Sequence, residues 1–309
     1  MVDALDCAFP NTPSALVEMR DLLAEAYAER GQYPGWSVAR VQHWFHSHRS
    51  MMTRKRPGFW HDHARLWRDP AGRLLGFLAS ESDGDTFVVT SPGGRDLEPR
   101  MLAWHAAEWH RRDQDARIVH HCPDARLESA LWERGYAPAG EAARVYSYDL
   151  LAMDLDYALP PGYVARGMST EDDFGRQAEL TRAVFPRSEY TPEAHACLRE
   201  APDYDPALDV AVIEPSGRHV AIACAMLDRR NRVGSFEPVG TIAGCRRLGL
   251  GRAAVFEAFR RLRDRGAVRA VIVTGAEPYF ANRFYEALGP VSVLPAPRWI
   301  APRDSGPDA

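Results

Sequence analysis

The apolar positions of this chain switch between two periods. Leu16, Met19, Leu22, Leu23 and Ala26 recur at helical spacing, which predicts a helix over 13–30 with Thr12 or Ser14 as its cap; 38–51 reads as a second helix. The period then shortens. Strand-like runs at His63–Asp69, Arg73–Ser80 and Thr86–Thr90 are separated by turn residues at Pro70-Ala71-Gly72 and Ser82–Asp85. Helical spacing returns over Leu97–Arg112. A short strand follows at Ala116–His120, then a helix at Ala125–Arg134 ended by Gly135, and a strand at Val145–Leu150. The segment Met153–Gly162 (MDLDYALPPG) contains Pro160-Pro161, which ends regular structure, and predicts a domain boundary between residues 152 and 153.

Beyond it the order recurs. Tyr163–Arg166 is a strand, Thr170–Ala183 a helix capped by Thr170, and Thr191–Glu200 a helix with proline in its first turn. Strands are expected at Val210–Glu214, His219–Leu227 and Ser235–Ile242. A long amphipathic helix over Leu248–Arg265, a buried-type strand at Val268–Thr274 and a helix at Phe280–Leu288 complete the pattern. Each half reads as two helices, about three strands, helix, strand, helix, strand. This is a two-copy repeat by order of elements, with little residue identity between the copies.

Composition narrows the class. A chain of 309 residues fits two domains better than one. The net charge of −4 gives no general electrostatic case for nucleic acid, and Arg54-Lys55-Arg56 is too short to change that; it reads as a solvated loop. The five cysteines are odd in number and form no CxxC pair, against both a disulfide framework and a zinc site. His61, His63 and His120-His121 have no third ligand at a recognisable spacing, so they read as solvated or packed. The N-terminal MVDALDCAFPNTPSALVEMR lacks the basic start and apolar run of a signal peptide, and no stretch reaches membrane-spanning length. The expectation is a cytoplasmic protein with no metal, no nucleic-acid partner and no membrane partner.

The chemistry concentrates between Glu237 and Gly289. Arg246-Arg247-Leu248-Gly249-Leu250-Gly251-Arg252-Ala253 sets two glycines and three arginines at a predicted helix start, where free backbone N–H groups and the helix dipole favour a phosphate or pyrophosphate. Gly249-x-Gly251-x-x-Ala254 also satisfies a dinucleotide fingerprint, with Glu277 as a late ribose-binding acid. Polar residues Gly244–Arg247 separate the glycines from the strand, hairpins rather than a βαβ unit precede them, and too few residues follow Glu277 for a doubly wound domain.

Arg246-x-x-Gly249-x-Gly251, after a strand ending Val239-Gly240-Thr241, resembles the acyl-CoA pyrophosphate loop of the GNAT N-acetyltransferase superfamily. Ala281-x-x-x-Tyr285-Glu286-x-x-Gly289 is similar to that family's late tyrosine helix. Pro290 stands where phenylalanine is common, and Pro278 where an asparagine often contacts the cofactor. The resemblance implies two tandem GNAT-like α/β domains, each a mixed, mostly antiparallel sheet flanked by helices. It implies acetyl-CoA as co-substrate, contacted at Val239, Thr241, Arg246, Arg247, Leu248, Gly249, Leu250, Gly251, Arg252 and Ala281. It implies that the Val239 N–H polarises the thioester carbonyl, that neighbouring strands splay to admit the pantetheine arm, and that Tyr285 protonates the departing thiolate. Glu237 is the best candidate base for the amine, sharing a face with Ser235 and Val239 by strand alternation; Tyr279, Glu277 and Asp228 are lesser candidates. Cys245, beside Arg246, reads as a loop cysteine.

Aligned on the second half, the first half sets Thr90 against Thr241, Arg95 against Arg246, Glu98 against Gly249, Arg100 against Gly251 and Leu131 against Tyr285. Side chains at both glycine positions block close backbone approach, and the Glu98 carboxylate repels a pyrophosphate, so the first half reads as a degenerate GNAT-like domain. The expectation is direct acetyl transfer to an amine, a small molecule, in a ternary complex. The rival reading is a non-catalytic acyl-CoA-binding or regulatory module.

Overall fold

A computed structural model describes residues 4–55, 62–81, 84–277 and 279–303. The first half contains β1 (Leu5–Ala8), α1 (Pro13–Arg30), α2 (Val38–Lys55), β2 (Ala64–Arg68), β3 (Leu74–Ser80), β4 (Asp85–Thr90), a 3₁₀ turn (Pro92–Leu97), α3 (Glu98–Arg111), β5 (Arg117–Val119), α4 (Ala125–Glu133) and β6 (Ala137–Asp149). The second contains β7 (Val164–Gly167), α5 (Glu171–Val184), α6 (Pro192–Leu198), β8 (Asp209–Ile213), β9 (His219–Asp228), β10 (Val233–Thr241), a 3₁₀ turn (Ala243–Cys245), α7 (Leu250–Asp264), β11 (Arg269–Gly275), α8 (Tyr279–Glu286) and β12 (Ser292–Ile300).

Local chemistry accounts for the helix starts. The Thr12 hydroxyl accepts from the Ala15 N–H, and Pro13 presets the first turn. Thr170 and Asp173 form a reciprocal capping box on α5, and the Asp173 carboxylate also takes both arms of Arg166. Arg54 and Lys55, expected in a solvated loop, lie in the last turn of α2; Arg56 and His61 are outside the described residues.

The strands form one 12-stranded sheet in the order β1-β2-β3-β4-β5-β12-β6-β11-β10-β9-β8-β7. Two pairings are parallel, β4–β5 and β10–β11; the others are antiparallel. The halves exchange their last strands. β6, from the first half, pairs with β11 through Ala143–Asp149, and β12, from the second, pairs with β5 through Arg298–Ile300. β6 and β12 also pair with each other and join the two sheets. The sequence pattern predicts only the end of β6, and it assigns no range to β1 or β12. β12 carries Pro295 and Pro297, which cannot donate to a ladder; β5 engages only Arg298–Ile300, so the prolines stand where β12 has β6 alone as neighbour.

β9 shows how the layers are built. It is buried along its whole length because both faces are covered. Ala221, Ala223, Ala225 and Leu227 pack toward α7, with Phe256, Phe259 and Leu262. Ile222 and Cys224 meet Leu180 of α5, and Met226 meets Ala39 of α2. Helix α2, from the first half, thus lies on the second half's sheet. Each large apolar side chain buried this way contributes roughly 1.5–3 kcal/mol.

The exchanged strands make a prediction. A fragment of residues 1–152 lacks β12, whose Trp299 is buried in the cluster of Leu127, Leu131 and Tyr136 and donates to His120. It also leaves β6 without β11. We expect no cooperative urea transition by circular dichroism for this fragment; a transition like that of the full chain would refute the interdependence.

Candidate active site

β10 and β11 pair only over Val233–Ser235 against Arg269–Val271. Beyond that, β10 keeps β9 as partner to Thr241 and β11 keeps β6 to Gly275, so the two parallel strands part. Where they part, Glu237 and Pro238 together stand opposite Cys224, because Phe236 pairs with Ala225 and Val239 with Ala223. This is a β-bulge, and Pro238 has no N–H to contribute. The Glu237–Pro238 peptide is cis.

The bulge corrects one expectation. Strict alternation would put Ser235, Glu237 and Val239 on one face. Instead Ser235 pairs with Met226 and Val239 with Ala223, residues of opposite faces of β9. Val239 packs on the α7 side. Ser235 turns to α2, where its hydroxyl accepts the Ala39 N–H at 3.1 Å.

A cavity of about 330 Å³ fills the opening. The second half supplies Phe236–Val239, the outer half of β11 and Tyr285; the first half supplies Arg40, Glu81, Phe87 and His121 among others. Arg40, on α2, reaches across the halves. Its guanidinium lies 2.7 Å from Glu237 Oε1 and also binds the Glu81 carboxylate. The candidate base therefore shares one guanidinium with a second carboxylate.

Tyr285 is on α8, only 7% exposed, and lines the same cavity. Its ring packs against Tyr146 (5.6 Å) and Phe284 (5.1 Å), and its carbonyl accepts from the Tyr148 hydroxyl at 2.9 Å. Burial first, then the charge of Glu237 and the neighbouring Tyr146, pushes its phenol above the ordinary tyrosine value. All three favour the neutral, proton-carrying phenol.

β10 leads through the Ala243–Cys245 turn into the arginine–glycine loop. Arg247 (φ 67°) and Gly249 (φ 77°) are both left-handed, and Gly249 stands at the N-cap of α7 with no side chain capping the helix. The N–H groups of Leu250, Gly251 and Arg252 have no acceptor within the helix. A Cβ on Gly249 would meet open space, whereas one on Gly251 would stand 2.9 Å from the Thr241 hydroxyl and 3.4 Å from the Phe284 ring. Gly251 therefore lets α7 approach β10 and α8, and Gly249 gives the loop its turn. Leu248 is half exposed, while the Leu250 side chain is in the core and offers only its backbone. Arg246 is exposed, donates to the Thr241 carbonyl and lies 5.5 Å from the Phe280 ring; Arg247 is exposed. Arg252 covers Phe256 and donates to the Ala287 carbonyl. Ala281 packs beside Phe284 against the α7 core. This donor set fits a pyrophosphate: an uncapped helix start, a left-handed loop and two outward arginines.

The lesser base candidates fall elsewhere. Asp228 is buried and anchors the halves, accepting from the Tyr33 hydroxyl at 3.0 Å. Glu277 and Tyr279 are exposed, and neither lines the cavity. Pro278 is outside the described residues. Cys245 is buried at the end of its turn.

The matching place in the first half is closed by its own carboxylate. Glu98, 2% exposed, opens α3, accepts from the Thr90 hydroxyl (2.9 Å) and from Arg95 (3.1 Å), while Arg95 also pairs with Asp124. Leu131, opposite Tyr285 in the alignment of halves, is fully buried in the α3–α4 core.

His121, read from the sequence as a solvated or packed residue, was not marked as part of the site. It lines the cavity with 6% exposure, edge-on to Phe87 at 5.1 Å, and its Nδ1 has no hydrogen-bond partner among the described residues. Burial pushes the imidazole down to about 4, partly offset by the Gly35 carbonyl. Its neighbour His120 is used structurally, bonded to the Cys122 carbonyl and Trp299. Only the doublet itself was visible in sequence.

A two-copy α/β sheet, parted between parallel strands and with a glycine loop opening the following helix, is the tandem N-acetyltransferase class of fold. Residues 176–289 match the Acetyltransferase (GNAT) family model, so this chain carries a GNAT-family domain. Among solved structures, a GCN5-related N-acetyltransferase from Sphaerobacter thermophilus is 18% identical, covering 96% of this chain and 94% of its own, with a TM-score of 0.57. A tandem GNAT protein from the clavulanic acid biosynthesis pathway is 13% identical over 98% of this chain and 100% of its own, with a TM-score of 0.57. The C-terminal domain of a putative lysylphosphatidylglycerol synthetase from Agrobacterium fabrum is 11% identical over 93% of both chains, with a TM-score of 0.56. At these identities the likeness is one of fold. No curated protein sequence matches the chain. Among the described residues no helix is long and apolar enough to cross a membrane.

Proposed function

We propose that this protein transfers an acetyl group from acetyl-CoA to the amine of a small molecule, directly, within a ternary complex. The observation that carries the reading is the parting of β10 from β11, with the uncapped start of α7 after one strand and the buried Tyr285 phenol after the other. In this reading the backbone of Leu248–Arg252, with Arg246 and Arg247, holds the pyrophosphate. The bulge at Glu237–Pro238 frees the Val239 N–H for the thioester carbonyl. The amine nitrogen bonds to the carbonyl carbon and the carbon–sulfur bond breaks. Tyr285 gives its proton to the leaving sulfur, and Glu237 takes the proton lost by the amine. The first half binds no acyl-CoA and walls the acceptor side. The cysteines are free, consistent with a reducing, cytoplasmic setting.

A screen of acetyl-CoA consumption against an amine panel tests the activity. Acceleration by an amine, with the acetylated amine as product, is expected. Tight acetyl-CoA binding with no acceleration by any amine would instead favour the non-catalytic module. Calorimetry should give one acetyl-CoA per chain; two would overturn the closed reading of the first half.

A further inference from the structure

The first half supplies Arg40, Glu81, Phe87 and His121 to the cavity. The charged groups on its wall are Arg40, Glu81 and Glu237, two carboxylates against one guanidinium. The other titratable groups facing it are Tyr285 and His121. The guanidinium is already engaged by both carboxylates, so an incoming carboxylate would have to displace one of them. An incoming ammonium meets an excess of negative charge and needs no displacement. The His121 Nδ1 is a second, independent pointer. It is buried with no hydrogen-bond partner among the described residues, which is costly, and a turn of the ring toward a bound N–H group removes that cost. Around these polar groups stand the rings of Phe87, Phe185 and Phe236.

We propose that the acceptor is a primary amine without a carboxylate, carried on an apolar body, its ammonium entering between the Glu81–Arg40–Glu237 network and His121. This rests on the acetyl-transfer reading and adds the substrate class. His121 is a positioning residue here: it aligns the amine, while Glu237 takes the proton. Phe87 and Phe185 enclose the apolar body, and Arg40 holds both carboxylates in place.

The test compares phenethylamine with phenylalanine, which differ by the carboxylate alone. Their affinity for the full-length protein is measured by calorimetry in the presence of saturating coenzyme A, which requires no turnover. Phenethylamine should bind at least ten-fold more tightly. Equal binding, tighter binding of phenylalanine, or binding of neither overturns the proposal. His121→Phe keeps ring and volume but removes the nitrogen; it should weaken phenethylamine ten-fold and leave coenzyme A affinity unchanged, with His121→Asn restoring part of the loss. Unchanged phenethylamine affinity in His121→Phe, with the variant's melting temperature intact, removes His121 from the site. If phenethylamine binds as expected but is not acetylated, the transfer reading fails while the recognition stands.

Discussion

Gly249→Glu is expected to weaken acetyl-CoA binding about 100-fold or more, through two separable effects. Gly249 sits at φ 77°, where a side chain costs roughly 1 kcal/mol or more. The new carboxylate also stands at the N-terminus of α7, the place proposed for the pyrophosphate. Like charges at that separation oppose binding, and the carboxylate competes for the same N–H groups and arginines. The first half already displays the outcome: Glu98 at the start of α3 consumes the Thr90 hydroxyl and Arg95 internally. Gly249→Ala separates the terms. It carries the backbone cost without the charge and should lose far less affinity. A Cβ at Gly249 meets no atom within 4 Å, so neither variant should disturb the core, and thermal melts provide the control. Calorimetric titration with acetyl-CoA reads the result; wild-type affinity in Gly249→Glu would remove the loop from the cofactor site.

How much of this was legible in the sequence depended on how local the cause was. The helices were readable because caps and periodicity act within a few residues, as at Thr12 and Thr170. The arginine–glycine loop was readable because its conformation is set by Gly249 itself. β12 was not, since its prolines deny the strand pattern and only its place beside β6 makes them tolerable. The strand exchange was equally hidden: nothing in residues 137–149 says that the partner is β11 rather than a strand of the same half. The same limit applies at the site. Tyr285 stood out by its motif and Glu237 by its place on the strand beside Val239, but Arg40, Glu81 and His121 come from three distant segments and meet only after the halves dock. The assumed alternation of β10 failed for a related reason: a proline marks a probable bulge but not the phase on either side of it.

Tyr285→Phe is expected to lower kcat roughly 100-fold or more while leaving acetyl-CoA affinity nearly unchanged. The substitution removes one oxygen, so the packing on Tyr146 and Phe284, and the carbonyl that accepts from Tyr148, are retained. The missing function is the proton for the leaving sulfur, needed only as the carbon–sulfur bond breaks; that locates the loss in kcat. The pH dependence distinguishes this from a packing defect. Burial and the nearby Glu237 charge raise the phenol's pKa, so the group keeps its proton through and beyond the ordinary tyrosine range near pH 10. The wild-type rate should therefore show no alkaline decline from Tyr285 below about pH 10, and the variant should be slow at every pH rather than only at one end. Glu237→Gln is the companion measurement. It removes the charge that helps hold the phenol neutral, so any alkaline limb attributable to Tyr285 should move to lower pH. Full turnover by Tyr285→Phe across the pH range would end the general-acid assignment, and an unmoved limb in Glu237→Gln would separate the two residues electrostatically despite the cavity they share.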